Sequence, residues 1–363
     1  MKEVIVHPFP SLHTTIHDVP VPEPGPNEVV IKVIVAGSNP KDIDHLISAN
    51  LSLNSGDDLA GLIHSVGSEI EETAEWRAGD RVAAFHPMMT EHGAYAEYAV
   101  VSGSTVIRLP TGMGFEEAAT LPLVLTTSAI SLFRRQRLPP PWSPLTYSTP
   151  TPIIIYGASS AVGTFAIKLA RISNLHPIIA IAGSSTTHLL PLLDASKGDT
   201  LVDYRLGVDE MKRLVKEKLN GAPCHHALDC ISSKGTWIPV SHMLSPSTST
   251  QTSYLSVTSG ANQYNEPEIP EGVKVVYTYV GTAHAGKYRQ GMPMQDGEAH
   301  VKGDPEWTWL FYRYVGRMLA DGRLSGHPFQ VVDGGLEGIE KGLGMLRRGE
   351  VGGRKLVYRV GEI

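Results

Sequence analysis

The sequence predicts an α/β protein of two domains, a β-domain followed by a doubly wound domain on a parallel sheet. Its 363 residues are too many for one compact core and suit two. Up to about residue 110 the apolar runs are short, rich in Val, Ile and Tyr, and bounded by Pro, Gly and Asn. From Ile153 onward apolar strands alternate with segments of helical spacing.

The first part reads as antiparallel strands: EVVIKVIVAG, DLAGLIHSVG, DRVAAF, GAYAEYAVV and STVIRLP. After Gly112, FEEAATLPLVLTTSAISLF starts with a helical pattern. RLPPPWSPLTYSTPTP then reads as a surface insertion, because consecutive prolines propagate neither helix nor sheet. PIIIYG is a buried strand and AVGTFAIKLARIS a helix; PIIAIAG is the second strand, SSTTHLLPLLDAS the second helix and TLVDYR the third strand. VDEMKRLVKEKLNG is an amphipathic helix that stops at Gly221. HHALDCIS, TSYLSV and VKVVYTYVG supply three further strands, so the sheet is parallel with helices on both faces. Residues 283–305 are polar and Gly-rich and read as a loop. The tail gives a helix (EWTWLFYRYVGRMLADGRL), a strand (PFQVVDG), a helix (LEGIEKGLGMLRRG) and a last strand, RKLVYRV.

A net charge of −6 offers no broad basic surface and argues against nucleic acid as a partner. The start, MKEVIVHPFPSLHTTIHD, lacks the apolar core of a secretory signal, and no later stretch is long and apolar enough to span a bilayer. Cys224 and Cys230 cannot build a disulfide framework. A cytoplasmic, reducing location is expected, with both thiols buried and inert.

The strongest local signal is IIIYGASSAVGTFAIKLA, residues 153–170. A strand runs into a small-residue turn and a helix, which places backbone N–H groups and the positive helix end where a pyrophosphate can sit. Set on the G-x-G-x-x-G fingerprint, the three positions are Ala158, Ser160 and Gly163. The alternative is a strand–turn–helix with no ligand. The next strand ends in Ala182, Gly183, Ser184 and Ser185, with no carboxylate before Asp194 to accept from an adenosine ribose. Small hydroxyl residues leave room for a 2′-phosphate, and Tyr204 after the third strand adds a hydroxyl, so NADPH is favoured over NADH. The serines also suit plain helix capping.

AGSNPKDID (36–44), GDDLAGLIHSVG (56–67), AGDRVAAF (78–85), GAYAEYAVV (93–101), AATLPLVLTTSA (118–129) and YGASSAVGTFAIKLA (156–170) together resemble the medium-chain dehydrogenase/reductases of the zinc-free quinone oxidoreductase branch. The likeness runs to the closing GGRKLVYRV. Within that branch the chain is most similar to the fungal trans-acting enoyl reductases of polyketide biosynthesis, the lovastatin type. Shared with that group are the ALDCI strand, DYR after the third strand, the Pro-rich insertion and the extended loop at 283–305.

The resemblance implies a GroES-like domain, 1–123 and 306–363, and a Rossmann domain, 124–305. It implies cofactor contacts at Pro40, Lys41, Asp42 and Ile43, at Ala158, Ser159, Ser160 and Ala161, and at Ala182, Gly183, Ser184, Ser185 and Tyr204. Val257 and Thr258 end the strand that passes the nicotinamide, and Gly352 and Gly353 close the cofactor from the tail. The acyl chain is expected along Pro122, Leu123, Val124, Leu125, Thr126, Thr127, Ser128 and Ala129, and along Val280, Gly281, Thr282, Ala283 and His284. The partner it implies is an iterative polyketide synthase that presents the acyl chain on a carrier protein.

Zinc enzymes of the wider family need Cys and His in the amino-terminal domain, as Zn²⁺ prefers soft and imidazole donors. Asn39 stands at the cysteine position, and Asp57 and Asp58 where a His–Glu pair would be. The four-cysteine lobe is missing, so no metal is expected. His225 and His226 lead into a strand, where neighbours point to opposite faces. Without zinc to hold an alkoxide, conjugate reduction is the natural chemistry: hydride to the β-carbon of an α,β-unsaturated carbonyl, then a proton to the α-carbon. The resemblance puts the Thr127 hydroxyl near nicotinamide and substrate carbonyl; its bland role is to line or cap a helix. Asp44 stands where the lovastatin-type enzymes bear a lysine, so no proton donor carries over. Lys41 and Asp42 also read as a plain surface pair. A stand-alone quinone or alkenal reductase, and a non-redox cofactor-binding protein of the same fold, are the competing readings.

Overall fold

The computed structural model describes residues 1–146, 150–184, 186–286 and 301–362. The chain divides into two compact units, Met1–Leu123 with Pro305–Ile363, and Val124–Asp304.

Unit one is a β-structure. Strands β1 (Lys2–His7) and β2 (His13–Asp18) form an antiparallel ribbon. The main sheet begins with β3 (Glu28–Gly37), and helix α1 (Lys41–Ala49) follows it. Next come β4 (Asp58–Val66), the short helix α2 (Ser68–Thr73), β5 (Arg81–Phe85), β6 (Tyr98–Ser102) and β7 (Val106–Arg108). The turns α3 (Phe115–Ala118) and α4 (Pro122–Ala129) lead across the unit boundary. β3 is buried at all but Glu28 and Lys32, and its Val29, Ile31 and Val33 share one core with Leu59, Val82 and Val106.

Unit two is a six-stranded parallel sheet. Its strands are β8 (Ile153–Tyr156), β9 (Ile178–Ala182), β10 (Thr200–Asp203), β11 (His226–Asp229), β12 (Ser253–Val257) and β13 (Val273–Tyr277). Their order is β10-β9-β8-β11-β12-β13. This is the doubly wound order of dinucleotide-binding domains, with its switch point between β8 and β11. Crossover helices are α5 (Ala161–Ile172), α6 (Val208–Leu219) and the short α7 (Trp237–Ser241). Among its described residues, the helix expected over SSTTHLLPLLDAS does not form. Its regular pieces are 3₁₀ turns at Leu190–Leu192 and Ala195–Lys197, and Pro191 removes a donor in the middle of the run. Ser184 therefore caps no helix, and Ser185 lies outside the described residues.

α4 continues as a π-helical stretch, Ile130–Arg135. Arg135 and Asp304, both fully buried, pair at 2.5 Å, and Thr282 Oγ1 donates to Asp304 Oδ2 at 2.7 Å. The loop expected over 283–305 is thus anchored at both ends within unit two, while residues 287–300 lie outside the described residues. Helix α8 (Asp304–Ala320) opens the return to unit one, starting two residues before the sequence reading. β14 (Phe329–Val331), α9 (Ile339–Arg347) and β15 (Lys355–Arg359) complete the main sheet, whose order is β14-β15-β3-β4-β5-β7 with β6 on β3.

Candidate active site

The polar interior of unit one gathers at the start of α1. Pro40 precedes the helix and Ile43 is buried in the core. Lys41 Nζ lies 2.8 Å from Asp42 Oδ1, donates to the Ser55 carbonyl at 2.9 Å, and pairs with Asp57. Asp57 also meets His86 Nδ1 at 2.9 Å. Asp42 Oδ2 accepts from the Tyr95 hydroxyl at 2.5 Å and from the Asn39 amide at 2.9 Å. Asp42 is fully buried, so the reading of Lys41 and Asp42 as a surface pair is overturned. Burial pushes the Asp42 carboxyl up to about 6 against the pull of Lys41. Burial acts upward on Asp57 as well, but Lys41 and His86 outweigh it and hold that carboxyl below its ordinary value.

Beside this network, Lys355 of β15 places its ammonium on Asp58 and 3.1 Å from Asn39 Oδ1. Asn39 Nδ2 donates to Asp58 Oδ2 at 2.7 Å, and the Leu123 amide donates to Asp58 Oδ1 at 2.7 Å. Asn39 and Asp58, two of the three positions compared with zinc ligands, are joined by a fixed lysine charge. Among the described residues no group of three or more His, Cys, Asp or Glu is arranged to hold a metal ion.

In unit two the turn after β8 sits at the sheet's switch point. Gly157 takes φ +74°, and a Cβ there would meet the Ile231 side chain at 2.6 Å. This left-handed glycine, one residue ahead of the fingerprint positions, escaped the sequence reading. Ser160 caps α5, its Oγ accepting from the Gly163 amide at 3.0 Å. Ala161 and Val162 open the helix, where first-turn amides have no intrahelical acceptor. At Gly163 a Cβ would lie 2.5 Å from the Gly157 carbonyl oxygen, so α5 can approach β8 only without a side chain there. Ala158 is buried and Ser159 half-buried. The cradle fits a pyrophosphate by shape and by dipole.

At the end of β9, Ala182 is buried, Gly183 half-buried and Ser184 exposed. Tyr204, partly exposed, lies over Gly183, its hydroxyl 3.1 Å from where a Cβ would stand. Asp203 next to it is spent on Arg205, at 2.6 Å. After β11, Asp229 Oδ1 accepts from the amides of Ile231 and Ser232 at 2.9 Å each, and the Ser232 hydroxyl accepts from the Thr258 amide at 2.9 Å. This ties Thr258, just past Val257, to the same switch point. Cys230 is half-buried where full burial was expected, whereas Cys224 is buried.

Of the acyl-chain candidates, Pro122 and Leu123 belong to unit one and Val124, Leu125, Thr126, Thr127, Ser128 and Ala129 to unit two. All of them are buried, Thr127 being 5 % exposed. The Ser128 hydroxyl is used structurally, donating to the carbonyls of Val124 at 2.8 Å and Val162 at 2.7 Å. Val280, Gly281, Thr282 and Ala283 form a buried 3₁₀ turn with His284 after it. Thr282 is committed to Asp304, so it holds the turn in place. Gly352 and Gly353 lie just before β15 in unit one.

Residues 25–111 match the family described as alcohol dehydrogenase GroES-like domain. The chain is 36% identical over 340 residues to trans-enoyl reductase fsr4 of Gibberella fujikuroi, covering 93% of this chain and 92% of that one. The chain belongs to the trans-enoyl reductases. Trans-enoyl reductase resD of Aspergillus sclerotiorum is 30% identical over 380 residues, 99% of this chain and 100% of its own. The enoyl reductase component of lovastatin nonaketide synthase, lovC of Aspergillus terreus, is 28% identical over 320 residues, 84% and 81% of the two chains. Among solved structures, CurK enoyl reductase superposes with a TM-score of 0.70 at 19% identity, covering 98% of each chain. A putative NADPH:quinone reductase from Bacillus thuringiensis gives 0.73 at 18% identity, covering 99% and 98%. Both share the fold: a GroES-like domain with a parallel-sheet Rossmann domain. No helix among the described residues is long and apolar enough to cross a membrane.

Three residues of this buried network stand outside the sequence-derived candidates. Lys355 was read only as part of the last strand, and its ion pair with Asp58 spans 297 positions. His86 directly follows β5 and Tyr95 stands in a bend before β6; both complete the shell around Asp57 and Asp42.

Proposed function

We propose that this protein is a trans-acting, NADPH-dependent enoyl reductase for an acyl thioester carried by an iterative polyketide synthase. The observation that carries the reading is the likeness to trans-enoyl reductase fsr4 over nearly the full length of both chains. The acid-free end of β9 under Tyr204 supports NADPH, since a 2′-phosphate meets a hydroxyl there and no free carboxylate. The amides of Ala161 and Val162 and the Ser160 cap would hold the pyrophosphate, with Pro40, Lys41, Asp42, Ile43, Val257, Thr258, Gly352 and Gly353 on the nicotinamide side. When bound, the reduced nicotinamide supplies the hydride that saturates the conjugated double bond at its β-carbon. The Thr127 hydroxyl orients the thioester carbonyl, and the buried strips Pro122–Ala129 and 280–284 exclude water along the acyl chain. The lysine charge on Asp58 and Asn39 supports a metal-independent reaction, since a zinc ion there would have to displace a paired ammonium.

The test is a pantetheine-linked α,β-unsaturated acyl thioester with NADPH and a strong chelator, followed by NADPH fluorescence and product mass. A saturated thioester, formed at the same rate with and without chelator, is expected. Loss of activity on chelation would overturn metal independence. Turnover of simple quinones in preference to the thioester would overturn the substrate class.

A further inference from the structure

We propose that the groove between β7 and α8 is a binding site for a monoanionic amphiphile, an apolar chain that ends in a carboxylate. The cavity measures about 410 Å³, within the range of small-molecule sites. Val106, Leu109, Pro110, Tyr312 and Ala320 give it apolar walls. α8 crosses β7 closely at Gly316, where a Cβ would stand 3.2 Å from the Arg108 carbonyl oxygen, and this crossing fixes the distance between the walls.

Three arginines line the groove, and two of them are already committed. Arg313 donates to Glu75 Oε1 at 2.6 Å and to the carbonyls of Val106 and Gly103 at 3.2 and 3.0 Å. Arg108 lies 3.0 Å from Asp80 Oδ1 and donates to the Glu75 carbonyl at 3.0 Å. Both guanidinium groups also lie over the buried Trp76 ring, at 5.1 and 4.7 Å. Arg317, one turn further along α8, is exposed; its charge acts on Asp321, but that carboxylate is held by Arg323 at 2.7 Å. Four guanidinium groups (Arg108, Arg313, Arg317 and Arg323) therefore face three carboxylates (Glu75, Asp80 and Asp321), on a chain whose net charge is −6. A carboxylate matches the paired donors of one free guanidinium. A phosphate dianion would call for a second free cation, which the committed Arg108 and Arg313 do not offer. The body of the ligand then buries against the apolar walls. None of the lining residues belongs to the candidate cofactor or acyl-chain residues, so the site is distinct from the reduction.

The test is calorimetric titration of the full-length protein with decanoate, with 1-decanol as the uncharged control. Decanoate is expected to bind at one site, roughly tenfold tighter than decanol, and Arg317→Gln is expected to remove that roughly tenfold preference. Ala320→Trp, which fills the groove, should abolish binding of both, while NADPH-dependent thioester reduction stays unchanged in both variants. No binding of decanoate, equal affinity in Arg317→Gln, or competition of decanoate with the thioester substrate would each overturn the proposal.

Discussion

Lys41 is nearly enclosed and faces Asp42 and Asp57 together. Burial alone would lower its pKa, but the two carboxylates raise it above the ordinary lysine value, so it stays charged across the working pH range. Asp57 is the partner that matters most, because its folded pKa lies below its unfolded one. Its contribution is present above the ordinary carboxylate pKa of about 3.9 and is lost as pH falls through the folded value. Asp57→Asn should destabilise the protein by about 3 kcal/mol near neutrality, leaving a buried charge short of a partner. The difference from wild type should shrink below about pH 4. Urea unfolding at several pH values would check this, and a difference that stays constant down to acid would contradict it. Tyr204 is the other residue with a specific consequence. Tyr204→Phe should weaken NADPH binding by about 1.5–3 kcal/mol, the net worth of a hydrogen bond to a charged group, and leave NADH binding unchanged. Titration calorimetry with both cofactors distinguishes this from a general loss. That Tyr204 stands beside the acid-free end of β9 could be read from the sequence, because both positions end neighbouring strands. The roles of Lys355 and His86 could not, because they depend on partners brought together by the sheet.

At the scale of elements, the β8–turn–α5 unit shows why part of the fold could be read directly. A continuous apolar strand, a turn of small residues and a helix with apolar residues at helical spacing are adjacent in sequence, and the structure keeps them so. The same spacing misled at residues 184–196, where the leucines follow a helical period but Pro191 sits among them. α1 was missed because it is a single short helix set between strands directly after Pro40. The π-helical stretch Ile130–Arg135 leaves no mark on the apolar pattern, although it aims Arg134 and Arg135 at Asp304, at 2.8 and 2.5 Å. Gly163 tests the cofactor element as a whole. In Gly163→Ala the new methyl must push α5 away from the Gly157 and Ala158 backbone, an overpacking cost of about 1–3 kcal/mol. Thermal unfolding should register that loss, and NADPH binding should fall with it as the helix start moves off the turn. A variant that binds NADPH as tightly as wild type would show that the pyrophosphate does not sit there.

For the molecule as a whole, the open question is whether it pairs through the edge of its parallel sheet. The sheet ends in β13, and an exposed edge strand invites a second copy to extend the ladder unless it is short, charged or covered. β13 has five residues, Val273–Tyr277, and starts directly after Pro270 and Gly272, the latter at φ +86°. Lys274 is the second residue of the strand, with its ammonium 5.7 Å from the centre of the Tyr254 ring. Past Tyr277 the Thr278 amide still donates to the Val257 carbonyl at 2.8 Å, and the chain then enters the buried 3₁₀ turn Val280–Ala283, which Thr282 locks to Asp304. Beyond the turn the sequence carries Pro293, Gly-rich stretches and charges, a composition that makes a poor ladder partner. A second β13 would therefore find few consecutive free backbone groups and would have to bury a lysine beside its own symmetry copy. The expected state is a monomer, and static light scattering at micromolar concentration should return the mass of one 39.2 kDa chain. A mass of twice that value, lost on replacing Val275 by Pro to remove a ladder donor, would show that the edge is used after all.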